Sequence, residues 1–169
     1  VGGFGLTGII LSAKIKLQKI NSQYIVEKIK KFYNVKEFIN FTKIKSQYAV
    51  SWVDSHSLNN NIFRGLYFIG KHHKKKQKDD NYTFNNTKMN FFSKLFLKSY
   101  IKNFFFSKIA NYIFFKLQRK HKVVSFDKFF YPQDKWLDYN ECYSNGFFQV
   151  QFLVKEKDFN EIIRKISFF

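Results

Sequence analysis

Residues 47–69, QYAVSWVDSHSLNNNIFRGLYFI, decide the fold class. Residues 47–54 and 62–69 are short apolar and aromatic runs, and the polar residues 56–61 separate them. Short runs rich in aromatic and branched side chains, joined by a polar turn, are typical of neighbouring antiparallel strands. The stretch therefore predicts the centre of an antiparallel sheet.

The segments on either side predict further strands and helices. Apolar and polar side chains alternate between Ala13 and Gln18, which indicates that residues 9–20 form a strand. Asn34 followed by Glu37 resembles a capping box at the start of a helix. Further strands are predicted at 23–29, 123–130 and 146–154, helical segments at 34–44, 91–120, 134–143 and 158–166, and a loop at 71–87. The sum is an α+β fold with a mainly antiparallel sheet.

The composition is dominated by residues with A/T-rich codons, including 27 Lys and 24 Phe, and the net charge is +18. The charge is unevenly distributed, since residues 71–126 contain 14 Lys and Arg against two Asp, while residues 127–169 are nearly neutral. No acidic residue lies between Asp80 and Asp127. A codon bias raises the number of lysines but does not remove Asp and Glu from one segment. The positive charge of this segment therefore needs another explanation.

Several classes are excluded by the composition. One proline, Pro132, excludes Pro-rich chains, and one cysteine, Cys142, excludes a disulfide scaffold and a cysteine-rich zinc site. The histidines lack partners at metal-ligand spacing, so no metal site is predicted. The longest stretches without charged residues, 1–13 and 142–154, are too short for a transmembrane segment, and no signal peptide is visible. Because the chain begins with Val1 inside a glycine cluster, we expect it to be a fragment.

A glycine pattern lies at the start of the chain. Gly3, Gly5 and Gly8 match the dinucleotide-binding pattern G-x-G-x-x-G, and Glu27 lies at about the spacing of its ribose-binding acid. That site needs a helix directly after the glycines, whereas residues 9–20 alternate like a strand. The alternative is a tight turn that lets the backbone approach a ligand closely.

Four blocks together carry a resemblance to a known family. They are VGGFGLTGIILSA (1–13), YAVSWVD (48–54), FFYPQD (129–134) followed by Asn140, and GFFQVQF (146–152). In this order they resemble blocks of the vanillyl-alcohol-oxidase-type, or PCMH-type, flavin oxidoreductases. Within that family the resemblance is strongest to the decaprenylphosphoryl-β-D-ribose 2′-oxidases, which are related to sugar-lactone oxidases such as the arabinono-lactone oxidases.

The resemblance implies a domain arrangement and site residues. Residues 1–20 would end a PCMH-type FAD-binding domain, and residues 21–169 would form part of a substrate (cap) domain with a basic aromatic insertion at 71–122. The residues implied to contact FAD are Gly2, Gly3, Gly5, Gly8 and Ile10. The residues implied to contact substrate are Trp52, Phe130, Tyr131, Gln149 and Gln151. No catalytic residue is assigned.

The implied reaction is hydride transfer from a sugar C–H to the flavin, acting on a lipid-linked or free sugar. A partner reductase would complete an epimerisation. Phe130 stands where the family has a tyrosine, and Glu141 stands where it has an arginine. These differences leave the identity of the sugar undetermined, and a sugar-lactone oxidase is an alternative. The family's upstream pyrophosphate-binding loops and a downstream Lys and Asn are missing, so we expect this chain alone to bind FAD poorly and to be inactive.

The basic aromatic segment 71–122 leaves three interpretations open. Its lysines and phenylalanines could contact an anionic membrane, or they could bind single-stranded nucleic acid, the less favoured partner. Alternatively, the phenylalanines are core and the lysines face solvent. A non-enzymatic basic binding module is thus an alternative function. The predicted location is membrane-associated or cytoplasmic.

Overall fold

The computed structural model describes residues 8–60, 63–75, 88–132, 138–146 and 153–166. The regular elements of these residues follow one another as β1 (Tyr24–Phe32), α1 (Val35–Thr42), β2 (Tyr48–Val53), β3 (Gly65–His72), α2 (Phe91–Lys102), α3 (Phe104–Leu117), β4 (His121–Ser125), α4 (Phe126–Phe130) and α5 (Phe159–Ile166). Short 3₁₀ helices lie at Ser55–Asn60, Tyr139–Cys142 and Glu156–Asp158.

The four strands form one antiparallel sheet in the order β2-β3-β1-β4. Trp52 of β2 pairs with Leu66 of β3, and Ile29 of β1 pairs with Phe68 of β3. The α+β class and the antiparallel sheet predicted from the sequence are confirmed. The strands expected at 23–29, 47–54 and 62–69 correspond to β1, β2 and β3, although β3 begins three residues later than predicted.

One face of the sheet, named here the Trp52 face, is covered by α3. Because successive side chains of a strand point to opposite faces, Ile29, Leu66 and Trp52 share this side. Ile29 and Leu66 are buried together with Phe115 of α3, and Trp52 packs against this cluster. Burial of apolar surface here fixes α3 on the sheet.

The opposite face, named here the Phe32 face, is covered by α1 and α5. Phe32 is buried with Phe63 and Tyr67, and the first two rings are stacked at 5.4 Å between centroids. Phe38 of α1 and Phe159 of α5 pack against the same cluster. Helices therefore lie on both sides of the sheet.

Helix α1 begins with the predicted cap. The Oδ1 atom of Asn34 accepts a hydrogen bond from the Glu37 N–H at 2.8 Å. In return, the Glu37 carboxylate accepts one from the Tyr33 N–H at 2.7 Å. The helix ends at Thr42, two residues before the predicted end.

The predicted helical segment 91–120 forms two helices that meet at Asn103. The backbone N–H of Asn103 donates to the Ser99 carbonyl at the end of α2, and its side chain accepts from the Phe106 N–H at the start of α3. Asn103 itself has an extended backbone. One residue thus ends α2 and caps α3, as asparagine readily does.

The strand predicted at 9–20 is wrong. Residues 8–20 form neither strand nor helix, and Ile9, Leu11 and Leu17 are at least 86% exposed. Alternation of apolar and polar side chains favours a strand only where a neighbouring strand provides hydrogen bonds and a surface to cover the apolar side. Neither is present beside these described residues, and the first buried side chain of the described part of the chain is that of Ser22.

The strand predicted at 123–130 is correct only as far as Ser125. Residues 126–130 form α4, and the Phe126 N–H donates to the Gln23 carbonyl where the pairing with β1 ends. The turn into a helix buries Phe129. Local strand preference is overridden by this packing.

Two other predictions fall on residues that are only partly described. Most of the strand predicted at 146–154 and most of the loop predicted at 71–87 lie outside the described residues. Lys71 and His72 belong to β3 and not to a loop. The helical turn predicted at 134–143 corresponds to the 3₁₀ helix at Tyr139–Cys142.

None of the helices in the described part of the chain is both long and apolar enough to cross a bilayer.

Candidate functional site

Of the residues that the sequence predicts to contact substrate, Trp52 lies on the edge strand β2 and Phe130 packs against the same strand. Tyr48, Val50 and Trp52 alternate along β2 and therefore point to the Trp52 face. The ring of Phe130, at the end of α4, stands edge-on to the ring of Tyr48 at 4.8 Å between centroids. The second and third family blocks therefore meet at this edge of the sheet.

Gly70 of β3 positions α4 on the sheet. A Cβ atom at Gly70 would lie 2.5 Å from Cζ of Phe129, a distance that real Cβ contacts essentially never show. The absence of a side chain therefore lets the Phe129 ring rest directly on the sheet. Because Phe129 is fixed in this way, Phe130 and Tyr131 are held beside β2.

A cavity of about 360 Å³ lies between β2 and α4, and we call it the Tyr48–Phe130 cavity. Its lining residues are Gln47, Tyr48, Ala49, Val50, Phe129 and Phe130. Phe130 is 38% exposed and the neighbouring Tyr131 51% exposed, so both rings are accessible. Aromatic surfaces with a few polar groups at the edge suit a ligand that carries both C–H and hydroxyl groups.

Trp52 shares the face but not the cavity. Its indole ring packs edge-on against Phe114 of α3 at 5.0 Å and belongs to the buried cluster with Leu66. Four residues along a strand separate it from Tyr48, a distance of about 13 Å. Of the three described residues predicted to contact substrate, Phe130 lines the cavity, Tyr131 follows it directly in the sequence, and Trp52 is partly buried beneath α3.

The glycine region is described only from Gly8 onward. Gly8 has a φ of 129°, which favours glycine, and nothing lies within 4 Å of the position of a Cβ atom there. Ile10 is 69% exposed. The other implied FAD and substrate residues, Gly2, Gly3, Gly5, Gln149 and Gln151, lie outside the described residues.

The dinucleotide-binding alternative is not supported by the local structure. That site places the pyrophosphate at the N-terminus of a helix that follows the glycines directly. Residues 8–20 contain no helix. Glu27, the candidate ribose ligand of that alternative, lies instead in the middle of the sheet.

Sequence reasoning missed the role of Asp54, a fully buried carboxylate directly after β2. Its Oδ2 atom pairs with the Arg64 guanidinium, with Nε at 3.1 Å. Its Oδ1 atom accepts hydrogen bonds from Nδ2 of Asn111 at 2.8 Å and from the His56 N–H at 3.2 Å. This carboxylate therefore joins β2, β3 and α3. The only sequence signal is that Asp54 ends an otherwise apolar block.

His56 and Ser107 lie beside Asp54 and resemble part of a catalytic triad. Nε2 of His56 is 2.8 Å from Oγ of Ser107. However, the Ser107 hydroxyl donates its proton to the Phe104 carbonyl, and Asp54 accepts from the main chain of His56 and not from its ring. A nucleophile needs its proton directed at the base, and the base needs its ring oriented by the acid. The pair therefore anchors the start of α3.

Glu27 is a second buried carboxylate, with a weaker partner. It is 4% exposed, and its carboxylate lies 3.5 Å from Nζ of Lys122 on β4. Burial raises the pKa of Glu27 above its ordinary value, and the attraction of Lys122 offsets this only in part. The charged form of Glu27 is thus unfavourable in the folded chain.

A third polar group connects α2 to the 3₁₀ helix at Tyr139–Cys142. Nζ of Lys94 lies 2.7 Å from Asp138 and 2.9 Å from Glu141. These hydrogen bonds raise the pKa of Lys94, and the same contact with Lys94 lowers that of Asp138. Asp138 also accepts from the Met89 N–H at 2.8 Å, so the group fixes the start of α2.

In the part of the chain that the structure describes, no three His, Cys, Asp or Glu side chains come together as a potential metal site. Comparison of the chain with protein-family models, with curated proteins and with solved structures finds no match in any of the three.

Proposed function

We propose that this chain forms part of the substrate domain of an FAD-dependent oxidoreductase that oxidises a sugar hydroxyl. The supporting observation is the meeting of two family blocks, far apart in sequence, on one face of the sheet. The contact is made by Tyr48 of the first block and Phe130 of the second, 4.8 Å apart between ring centroids. A substrate surface requires such convergence, whereas unrelated resemblances have no reason to converge.

The proposed substrate position is the Tyr48–Phe130 cavity. The exposed ring of Phe130 offers an apolar surface for sugar C–H groups or for an isoprenoid chain. The hydroxyl of Tyr131 lies on the adjacent residue and supplies a polar group that the phenylalanine lacks. Gln149 and Gln151, two residues apart, are assigned as hydrogen-bonding partners of the sugar hydroxyls.

The proposed cofactor is FAD, which would supply the hydride acceptor. Of the residues assigned to it, Gly8 and Ile10 are described, and the open space around Gly8 leaves its backbone accessible to a ligand. The task of this chain is then to hold the sugar against the flavin and to exclude water from its aromatic side.

The sugar itself separates the two oxidase alternatives. Glu141 stands where decaprenylphosphoryl-ribose oxidases have an arginine, and here it pairs with Lys94 of α2. It therefore serves the packing of α2 and leaves no cation at that position for a phosphorylated substrate. A sugar-lactone oxidase, whose substrate is uncharged, therefore stays an alternative to an oxidase of a lipid-linked ribose.

The coding sequence on either side of the chain provides the first test. We expect pyrophosphate-binding loops of an FAD domain to be encoded upstream of Val1, and a Lys and an Asn of the active site to be encoded downstream of Phe169. The polypeptide from the joined frame should carry flavin and lose its yellow colour anaerobically when sugar is added. Flanking sequence without an FAD domain would contradict the proposal.

A basic binding module is the second candidate, favoured by the uncovered part of the Phe32 face. A cavity of about 600 Å³ there is lined in part by Lys28, Lys45, Lys71 and His121. Such a concentration of cations attracts polyanions. Salt-dependent binding of single-stranded DNA without flavin binding in the joined polypeptide would favour this candidate over the oxidase.

A further inference from the structure

The helical hairpin of α2 and α3 is only half covered. Its inner side is held to the sheet by Asn111 and Phe115, which are at most 5% exposed. The two helices contact each other through the rings of Phe96 and Phe106, 5.3 Å apart. Its outer side exposes large apolar side chains, among them Phe91, Phe92, Leu95, Phe105, Ile109 and Leu117.

Two cavities of different character adjoin on this hairpin. One, of about 540 Å³, is lined by Lys98, Ser99, Lys102 and Asn103 together with apolar neighbours. The other, of about 380 Å³, is lined almost wholly by apolar side chains, including Ile113 and Leu117. Phe106 lines both cavities. A basic pocket and an apolar groove therefore lie next to each other at Phe106.

The charge of the hairpin is complementary to an anion. Residues 81–126 contain no Asp or Glu, so neither helix has an acid that could neutralise its lysines from within. Lys94, on the inner side of α2, pairs with Asp138 and Glu141. Lys98 and Lys102 face the basic pocket instead. A cation pair with this environment attracts a phosphate group.

We propose that the α2–α3 hairpin docks the domain on a bilayer that contains anionic phospholipid. The lipid phosphate lies between Lys98 and Lys102, and the apolar part of the lipid lies against Ile113 and Leu117. Amphipathic surfaces with aromatic and aliphatic side chains next to lysines bind anionic bilayers in this way. Nucleic acid fits less well because aliphatic side chains do not stack on bases.

This docking is independent of the oxidase proposal, although it would also place a lipid-linked sugar within reach of the domain. The two proposals fail separately, since the docking test measures membrane binding and requires no flavin and no sugar.

The test is flotation of the purified chain with vesicles of phosphatidylcholine, with and without phosphatidylglycerol. We expect binding to the anionic vesicles, weakening with salt, and little binding to the neutral vesicles. The variant Lys98→Gln/Lys102→Gln should weaken binding about 30-fold, because each lysine near an anionic surface contributes about 1 kcal/mol and tenfold corresponds to about 1.4 kcal/mol. The variant Ile113→Asn/Leu117→Gln should weaken binding to the anionic vesicles more than the lysine variant does.

The matched control is Lys14→Gln/Lys16→Gln, which removes the same charge from the exposed residues 8–20 and should retain most of the binding. Equal loss in the control would show that net charge alone is responsible and would overturn the proposal. Absence of vesicle binding would overturn it too, as would single-stranded DNA or inorganic phosphate binding at Lys98 and Lys102 in its place. Circular dichroism of each variant verifies that the helices remain folded.

Discussion

Phenylalanine has two different environments in this molecule. In the sheet and its covering helices, Phe32 and Phe115 are at most 1% exposed. On the outer side of the α2–α3 hairpin, Phe91 and Phe92 are at least 74% exposed. A chain with 24 phenylalanines has more than its core uses. The comparison teaches that the sheet faces determine stability, while the hairpin surface is available for contact with another molecule.

The largest expected effect separates these two environments. The variant Phe32→Ala should lower the free energy of unfolding by about 3–5 kcal/mol, because it leaves a cavity among Phe38 and Phe63. The variant Phe92→Ala should change it by less than about 0.5 kcal/mol. Urea unfolding followed by circular dichroism measures both, and similar losses in the two variants would remove the distinction between core and hairpin surface.

The next effect concerns the polar attachment of α3 to the sheet. We expect Asp54→Asn to lower the free energy of unfolding by about 3 kcal/mol, because Arg64 loses its partner at a buried position. Glu161→Gln, which removes an exposed pair with Lys165, should produce no measurable change. If both variants unfold at the same urea concentration, the buried network does not hold α3.

Packing of α4 on the sheet should have an intermediate effect. The variant Gly70→Ala should lower the free energy of unfolding by about 1–3 kcal/mol, because its Cβ atom would collide with the Phe129 ring. The double variant Gly70→Ala/Phe129→Leu should recover part of the loss, since the smaller side chain leaves room. A double variant that is less stable than Gly70→Ala would contradict this account.

The smallest effect is a pH dependence from Glu27. Burial raises the pKa of Glu27 in the folded chain above the ordinary value of 4.5. At a pH above 4.5 the folded state therefore binds more protons than the unfolded state. The free energy of unfolding should then decrease as the pH rises from 4.5 through the raised pKa. The variant Glu27→Gln should remove that decrease. Asp138 acts in the opposite direction and at lower pH, because its pKa is lowered. Urea midpoints between pH 4 and pH 8 measure the difference, and identical profiles would refute it.

The sequence predicts the parts of the fold whose causes are local. β2 and β3 follow from two aromatic runs around a polar turn, and the start of α1 follows from the pairing of Asn34 with Glu37. These signals depend on residues within a few positions of one another, so one sequence suffices to find them.

The remaining features depend on contacts between distant residues. Residues 9–20 have the alternation of a strand but lack a neighbouring strand among the described residues. Residues 126–130 form a helix in which the Phe129 ring packs against Gly70 of the sheet. Asp54 gives no sign in the sequence that Asn111, 57 positions away, will be its partner. Of the residues that the sequence predicts to contact substrate, Phe130 lines the Tyr48–Phe130 cavity and Trp52 packs beneath α3, and their role in substrate binding stays a prediction.

The most direct test of the proposed function is methyl NMR of the chain titrated with farnesylphosphoryl-ribose at up to millimolar concentration. We expect saturable shifts of the Val50 methyl signals, which lie at the Tyr48–Phe130 cavity, and unchanged signals of Val123 on the Phe32 face. Farnesyl phosphate without the ribose should not produce the same shifts. Absence of any shift at Val50, or equal shifts with both ligands, would contradict the assignment of this cavity to a lipid-linked sugar substrate.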